Sequence, residues 1–186
     1  EMYNQGVELR VAVDVVKSPG FIWNIDVNAS TVKNEITKLP QEEIISGTKK
    51  LMVGKSIYDF WLRDWYGVDP ADGSALYDAN IKDFATQAAN LRIINETDTV
   101  SISQNNAKYA YHGSAIPDLI GGFTNTFSYK GFDLSILSVF QIGGLIWDGN
   151  YSSLMHSGDY GRAIHVDILD RWQKPGDITD VPRLDN

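Results

Sequence analysis

Trp147, Asp148, Asn150 and Tyr151 place two aromatic faces, a carboxylate and an amide within one short stretch of the chain. Sugar recognition needs these parts, because rings stack on flat apolar faces and hydroxyls need acceptors and donors around them. The four residues are therefore the candidate contact for a ligand or a covering partner. For Trp147 the plainer alternative is a place in an aromatic girdle. Asp170, Arg171 and Trp172 form a second cluster, expected to hold its loop together through an ion pair and a buried ring.

Catalytic chemistry finds little support. His112, His156 and His165 lack zinc-ligand spacing, and His165 and Asp167 stand too close in sequence for an acid–base pair without a nucleophile. No Gly-x-Ser-x-Gly elbow or phosphate-cradling loop occurs. The expectation is no enzyme, no catalytic residue, no metal and no cofactor.

The elements that would carry these residues announce themselves by alternation. Val7, Leu9, Val11, Val13 and Val15 occupy odd positions, with Glu8, Arg10, Ala12 and Asp14 between them. Successive strand side chains point to opposite faces, so one face is apolar and the other polar. After the turn-forming Lys17-Ser18-Pro19-Gly20, the pattern resumes with Phe21, Trp23, Ile25, Val27 and Ala29 against Asn24, Asp26, Asn28 and Ser30. A second hairpin runs through Phe123 and Phe127, turns at Lys130-Gly131, and returns through Phe132, Leu134, Ile136 and Phe140. It is less regular: Asn125 and Ser138 fall in the apolar register, Leu137 and Val139 in the polar one.

Two solvents suit such a one-sided sheet. A soluble carbohydrate-binding β-sandwich would bury the apolar face against a second sheet, whereas a transmembrane β-barrel would turn it to lipid. Aromatics beside both tight turns, short turns alternating with long loops, and apolar faces of about 9–11 residues favour the barrel. On that reading Val7, Leu9, Val11, Val13, Val15, Trp23, Ile25, Val27, Phe123, Phe127, Leu134 and Ile136 face lipid. The expected fold is mainly β, with antiparallel hairpins from a large barrel and long external loops carrying a short helix.

Composition neither demands nor forbids this. A hydrophobic fraction of 43% over 186 residues is ordinary for a globular protein, and a barrel signal is weak per strand. The formal charge of −8 argues against nucleic acid, which calls for clustered Lys and Arg. The chain has no cysteine, which excludes disulfides and thiolate metal sites.

The organisation expected along the chain is a hairpin over 5–31, strands within 54–77, a loop excursion over 78–116, a hairpin over 117–142 and an external loop over 143–186. Gly54 to Tyr66 reads as a third strand, Gly67 to Gly73 as a turn, and Ala75 to Tyr77 as the start of a return strand. Ala85 to Leu91 carries a helical pattern and Asn90 to Ser103 an extended one. Ile164 to Trp172 has helical spacing, ended by Pro175-Gly176. The opening at Glu1 and the loop-like Pro182 to Asn186 suggest a piece of something larger, since so few strands cannot close even a barrel of about eight.

Several strings occur in a familiar order: Asn4-Gln5-Gly6-Val7-Glu8-Leu9, Phe21-x-Trp23, Val53-Gly54-Lys55-Ser56, Gly67-Val68-Asp69-Pro70, Ile116-Pro117-Asp118, Tyr129-Lys130-Gly131-Phe132-Asp133-Leu134-Ser135, Asp170-Arg171-Trp172 and Asp180-Val181-Pro182-Arg183-Leu184. In that order they resemble SusC/RagA-type TonB-linked outer-membrane transporters. The resemblance implies a segment from the C-terminal half of a barrel of about 22 strands. It also implies outer-membrane localisation in Bacteroidetes, import of an oligosaccharide or peptide, and a SusD-like surface lipoprotein as lid. The TonB complex would be reached only through N-terminal parts, including a plug domain, that this sequence lacks. Many relatives carry an acidic, calcium-like loop after the Gly-x-Asp turn. Here only Asp69, Asp72 and Gly73 remain of it, too few carboxylates for calcium.

Overall fold

The computed structural model describes residues 1–81 and 84–184. Lys82, Asp83, Asp185 and Asn186, which fall in the expected loops 78–116 and 143–186, lie outside the described residues. In chain order the strands are β1 (Met2–Ser18), β2 (Phe21–Ile36), β3 (Glu43–Ser46), β4 (Lys49–Met52), β5 (Asp59–Arg63), β6 (Trp65–Val68), β7 (Ala75–Asp78), β8 (Leu91–Ile94), β9 (Asp98–Ser101), β10 (Tyr109–Ser114), β11 (Leu119–Tyr129) and β12 (Phe132–Ile142). Two short helices, α1 (Phe84–Gln87) and α2 (Gly149–Leu154), and three 3-10 turns complete the described elements.

The chain divides into two compact units, Glu1–Phe60 with His112–Ile146, and Trp61–Tyr111 with Trp147–Asn186. The first is built on an antiparallel sheet of order β1-β2-β11-β12. Its pairing lines up the alternation of four strands into rows. Val11, Val27, Phe123 and Ser138 stand side by side on one face, while Ala12, Asp26, Thr124 and Leu137 stand on the other. Pairing in the first hairpin continues to Met2 opposite Ile36, beyond the expected 5–31.

A bulge between Asp14 and Val16 sets the foot of the wall. Val16, not Val15, stands opposite Trp23, and the row continues through Phe127 to Leu134. An extra residue on one strand bends and twists it locally. Strict alternation, which puts Val15 in that row, misses the bulge.

No second sheet seals the apolar face of the wall among the described residues. Val7 is 70% exposed, Leu9 62%, Val11 51% and Val13 50%. Phe123, Leu134 and Ile136 are exposed as well, and Trp23, Ile25 and Phe127 are half-buried by their neighbours in the sheet. A sandwich would enclose these side chains, and the described residues supply no such cover. Near the turns the rings touch one another: Trp23 stacks on Phe127 with centroids 5.8 Å apart, and Phe21 meets Tyr129 edge-on at 6.5 Å. The opposite face carries an ion pair, Arg10 with Asp26, in which the guanidinium reaches both carboxylate oxygens.

The second unit holds a sheet of order β6-β7-β9-β8. Leu76 and Val100 are its buried aliphatic core, with Ser101 fully buried beside a chain reversal that its hydroxyl closes.

The middle of the chain is more broken than alternation suggested. The expected strand across Gly54 to Tyr66 is two short strands, β5 and β6, interrupted at Asp64, whose amide donates to the Lys108 carbonyl. The extended stretch over 90–103 is the hairpin β8–β9, turned at Asn95 and Glu96 with positive φ. The hairpin β3–β4 gave no alternation signal, because four residues hold only two per face. In the tail, the helical spacing of 164–172 resolves to a 3-10 turn, Val166–Asp170, preceded by α2.

Candidate functional site

After β12 the chain leaves the sheet through Gly143 and Gly144, both at positive φ. A Cβ on Gly143 would fall 2.2 Å from an Asp118 carboxylate oxygen, and one on Gly144 would crowd the Ala115 carbonyl and Pro117. Only glycine fits that exit. The Leu145 amide then donates to the Ser114 carbonyl at 2.9 Å.

Trp147 begins the second unit and is half exposed. Asp148 caps α2: its carboxylate accepts from the Tyr151 amide at 2.8 Å. This satisfies one of the free N–H groups at a helix start. The Asn150 carbonyl accepts from the Ser153 hydroxyl, and Tyr151 presents its ring edge-on to His165, centroids 4.8 Å apart. The four candidate residues thus form one short capped element, with Asp148 engaged in folding it.

His165 and Asp167, which the sequence gave no catalytic role, stand beside Tyr151. The Asp167 amide donates to His165 Nδ1 at 3.2 Å. The Asp167 carboxylate lies 3.3 Å from the same nitrogen. Partial desolvation raises the Tyr151 phenol above its ordinary pKa, helped by its hydrogen bond to Asp167 and the negative charges of Asp167 and Asp148. A phenol held protonated beside a carboxylate and an imidazole can hydrogen-bond a neutral ligand, and the exposed Trp147 ring offers a face for stacking. None of this geometry assembles a nucleophile.

The second expected cluster is a structural clasp, but among the described residues it is held through backbone carbonyls rather than by the expected ion pair, and its ring is half-buried. Trp172 Nε1 donates to the Pro70 carbonyl at 3.0 Å, and its amide to the Val181 carbonyl at 2.9 Å. The indole lies over Gly73, where an added Cβ would come within 2.5 Å of the ring. Arg171 donates to the Ile168 carbonyl, and the Thr179 hydroxyl to the Asp170 carbonyl.

The truncated acidic loop has a cation of its own, which sequence gave no sign of. Arg92, on β8, donates to the buried Asp69 and through two nitrogens to Asp72, at 3.0 and 2.6 Å. The remaining oxygen of Asp69 accepts from the Ala71 amide, and Asp72 also accepts from the Ser74 amide. Arg92 drives the Asp72 carboxyl well below the usual carboxylate range, and Asp72 in turn raises the guanidinium. The loop carbonyls and carboxylates are held by protein donors.

No family model matches the chain. In sequence it is 28% identical over 196 residues to TonB-dependent receptor P26 of Formosa agariphila, covering 97% of this chain and 19% of that protein. It is 26% identical to TonB-dependent receptor P3 of the same organism, covering 98% of this chain and 19% of that protein. The chain spans about a fifth of the length of these curated relatives. Among solved structures, a chain of the RagAB peptide transporter superposes with a TM-score of 0.81 at 18% identity, over 98% of this chain and 20% of that one. A chain of the RagAB peptide importer in the open-open state gives 0.76 at 19% identity, over 100% of this chain and 19% of that one. In sequence the chain is a homologue of TonB-dependent receptors over about a fifth of their length, and in fold it matches about a fifth of a RagAB transporter chain.

Proposed function

We propose that this chain is part of the wall and external loops of a TonB-dependent outer-membrane importer. The observation that carries the reading is the uncovered apolar face of β1-β2-β11-β12, four strands wide and exposed where a soluble sheet would be covered. Lipid is the solvent that such a face suits, with Val7, Leu9, Val11, Val13, Val16, Trp23, Ile25, Val27, Phe123, Phe127, Leu134 and Ile136 against acyl chains. Arg10, Asp26, Thr124 and Thr126 then face the lumen.

In the complete receptor the loops after β2 and β12 form part of the outer vestibule. Trp147, Asp148, Asn150 and Tyr151 there contact an oligosaccharide or peptide cargo, or the SusD-like surface lipoprotein that covers it. A peptide cargo draws support from the RagAB likeness, and an oligosaccharide from the paired aromatic and polar groups of the site. Coupling to TonB resides in other parts of the receptor.

Nitroxide scanning of the full-length receptor in liposomes tests the reading. Labels at positions 123 and 127 should collide with dissolved oxygen and be shielded from an aqueous nickel reagent, and labels at 124 and 126 should do the reverse. Equal aqueous access on both faces would sink it. Co-purification of a lipoprotein, lost on Trp147→Ala but not on a distant surface change, tests the lid contact separately.

A further inference from the structure

We propose that His156 is a proton-sensitive latch for the loop between α2 and the 3-10 turn Val166–Asp170. The loop closes at its base where the His165 amide donates to the Leu154 carbonyl at 3.1 Å. Across its interior lies the imidazole of His156. Nδ1 accepts from two backbone amides, Gly158 at 3.2 Å and Asp159 at 3.1 Å. Nε2 stands 3.1 Å from the Ala163 carbonyl, which only accepts, so Nε2 carries the proton and donates.

One neutral ring therefore ties the first residues of the loop to the last. At the tip, Tyr160 is fully exposed, between Gly158 and Gly161, both at positive φ. The other side-chain tie is Arg162, which bonds the Asp159 carboxylate at 2.6 Å and the Ser153 carbonyl at 3.3 Å. That pair is more than half exposed on both sides, and such pairs hold weakly.

The chemistry of the latch follows from proton counting. A neutral imidazole offers one donor and one acceptor, and this loop uses both. Protonation turns Nδ1 into a donor aimed at two N–H groups, so both bonds are lost and their dipoles repel the new charge. The ring must turn away, and the 157–163 backbone loses its anchor. Imidazole is the side chain whose charge changes in the mildly acid range.

Among the described residues, the titratable and charged groups facing the ring are Asp159 and Arg162, paired with each other in the loop, and Tyr77 and Arg183 across a cavity of about 350 Å³ that His156 also lines. From the 3-10 turn it is Ile168 that lines this cavity, and α2 carries no ionisable side chain but Tyr151. Among the described residues no carboxylate lines that cavity. The latch thus holds Tyr160 out for contact at neutral pH and releases it on acidification, whichever molecule the loop meets.

Hydrogen exchange on the full-length receptor in detergent micelles tests this, with rates over 157–163 corrected for intrinsic chemistry at about pH 7.5 and about pH 5.5. Wild type should lose protection about tenfold at the lower pH. His156→Asn places an amide oxygen near the Nδ1 position and cannot gain a proton there, so its protection should be equal at both. The latch is overturned if wild type keeps its protection, or if His156→Asn loses as much. Asp159→Asn provides an independent decision even if His156→Asn does not assemble: it should keep the wild-type pH loss, and a pH-independent loop there would transfer the switch to Asp159.

Discussion

Trp23 Nε1 donates to Asn125 Oδ1 at 3.1 Å, diagonally between β2 and β11 on the apolar face of the wall. This accounts for the most conspicuous break in the alternation, a polar residue in the apolar register. An indole N–H in hydrocarbon costs free energy unless it finds an acceptor, and Asn125 supplies one while Phe127 stacks on the same ring.

A double-mutant cycle on the full-length receptor in liposomes should therefore show coupling between the two. Asn125→Leu strands the indole donor and should lower unfolding stability by about 1 kcal/mol, the scale of a hydrogen bond in a membrane. In a Trp23→Phe background the same change should be neutral or stabilising, because leucine suits lipid better than an unpartnered amide. Additive losses from the two changes would mean that the bond contributes nothing.

The same pair shows what a sequence reveals and what it hides. The antiparallel β character and the four long strands were legible, since about five apolar positions per face are enough to fix a period of two. Asn125 looked like a defect because its partner is 102 residues away. The bulge at Val15 was invisible for another reason: it depends on how two strands pair, and a single strand carries no record of that. Strands of four residues, such as β3 and β8, are too short to show any period. At the candidate site Trp147 and Tyr151 were readable from residue type, whereas His165 and Asp167 reach Tyr151 only through folding. Arg92 likewise finds Asp69 and Asp72 at 23 and 20 residues' separation.

Arg92 should be costly to remove. Arg92→Met leaves Asp69 buried without its cation, and the second unit should lose about 2 kcal/mol, less than for a wholly buried pair because Arg92 is nearly one-third exposed. The pH dependence has a definite sign. Asp72 is lowered in the folded state, so its contribution is complete above the ordinary carboxylate range and fades as the pH drops from about 4 through the folded value. Hydrogen exchange at the Gly73 and Ser74 amides should accelerate on acidification over that range, after correction for intrinsic rates. In Arg92→Met the acid-dependent acceleration should be much smaller, and an unchanged profile would assign it to other groups.

Gly73 and Trp172 should behave as one unit. Gly73 has φ +75° and no room for a Cβ beside the indole, so Gly73→Ala pushes Trp172 off Pro70 and should cost about 2 kcal/mol or more. Trp172→Ala loses the ring and its hydrogen bond, for about 3 kcal/mol. The double variant should cost clearly less than the sum, because the alanine methyl then occupies vacated space. Full additivity in denaturant unfolding would show that the two do not share a contact.

Asp148 separates folding from recognition. Asp148→Ala removes the cap of α2 and should destabilise that helix by about 1 kcal/mol, exposing the amides of 149–154 to exchange. Asp148→Asn keeps an oxygen to accept from Tyr151 and should leave exchange unchanged, since asparagine caps nearly as well. The two variants then divide the outcomes for cargo or lipoprotein binding, measured by titration calorimetry on the full-length receptor. If Asp148 only shapes the site, binding weakens in the alanine variant and survives in the asparagine one. If the carboxylate itself touches the bound molecule, both lose affinity, and the asparagine variant does so with α2 intact. Trp147→Ala provides the reference: its half-exposed ring takes no part in the cap of α2, so a loss of affinity there without any change in exchange marks a direct contact.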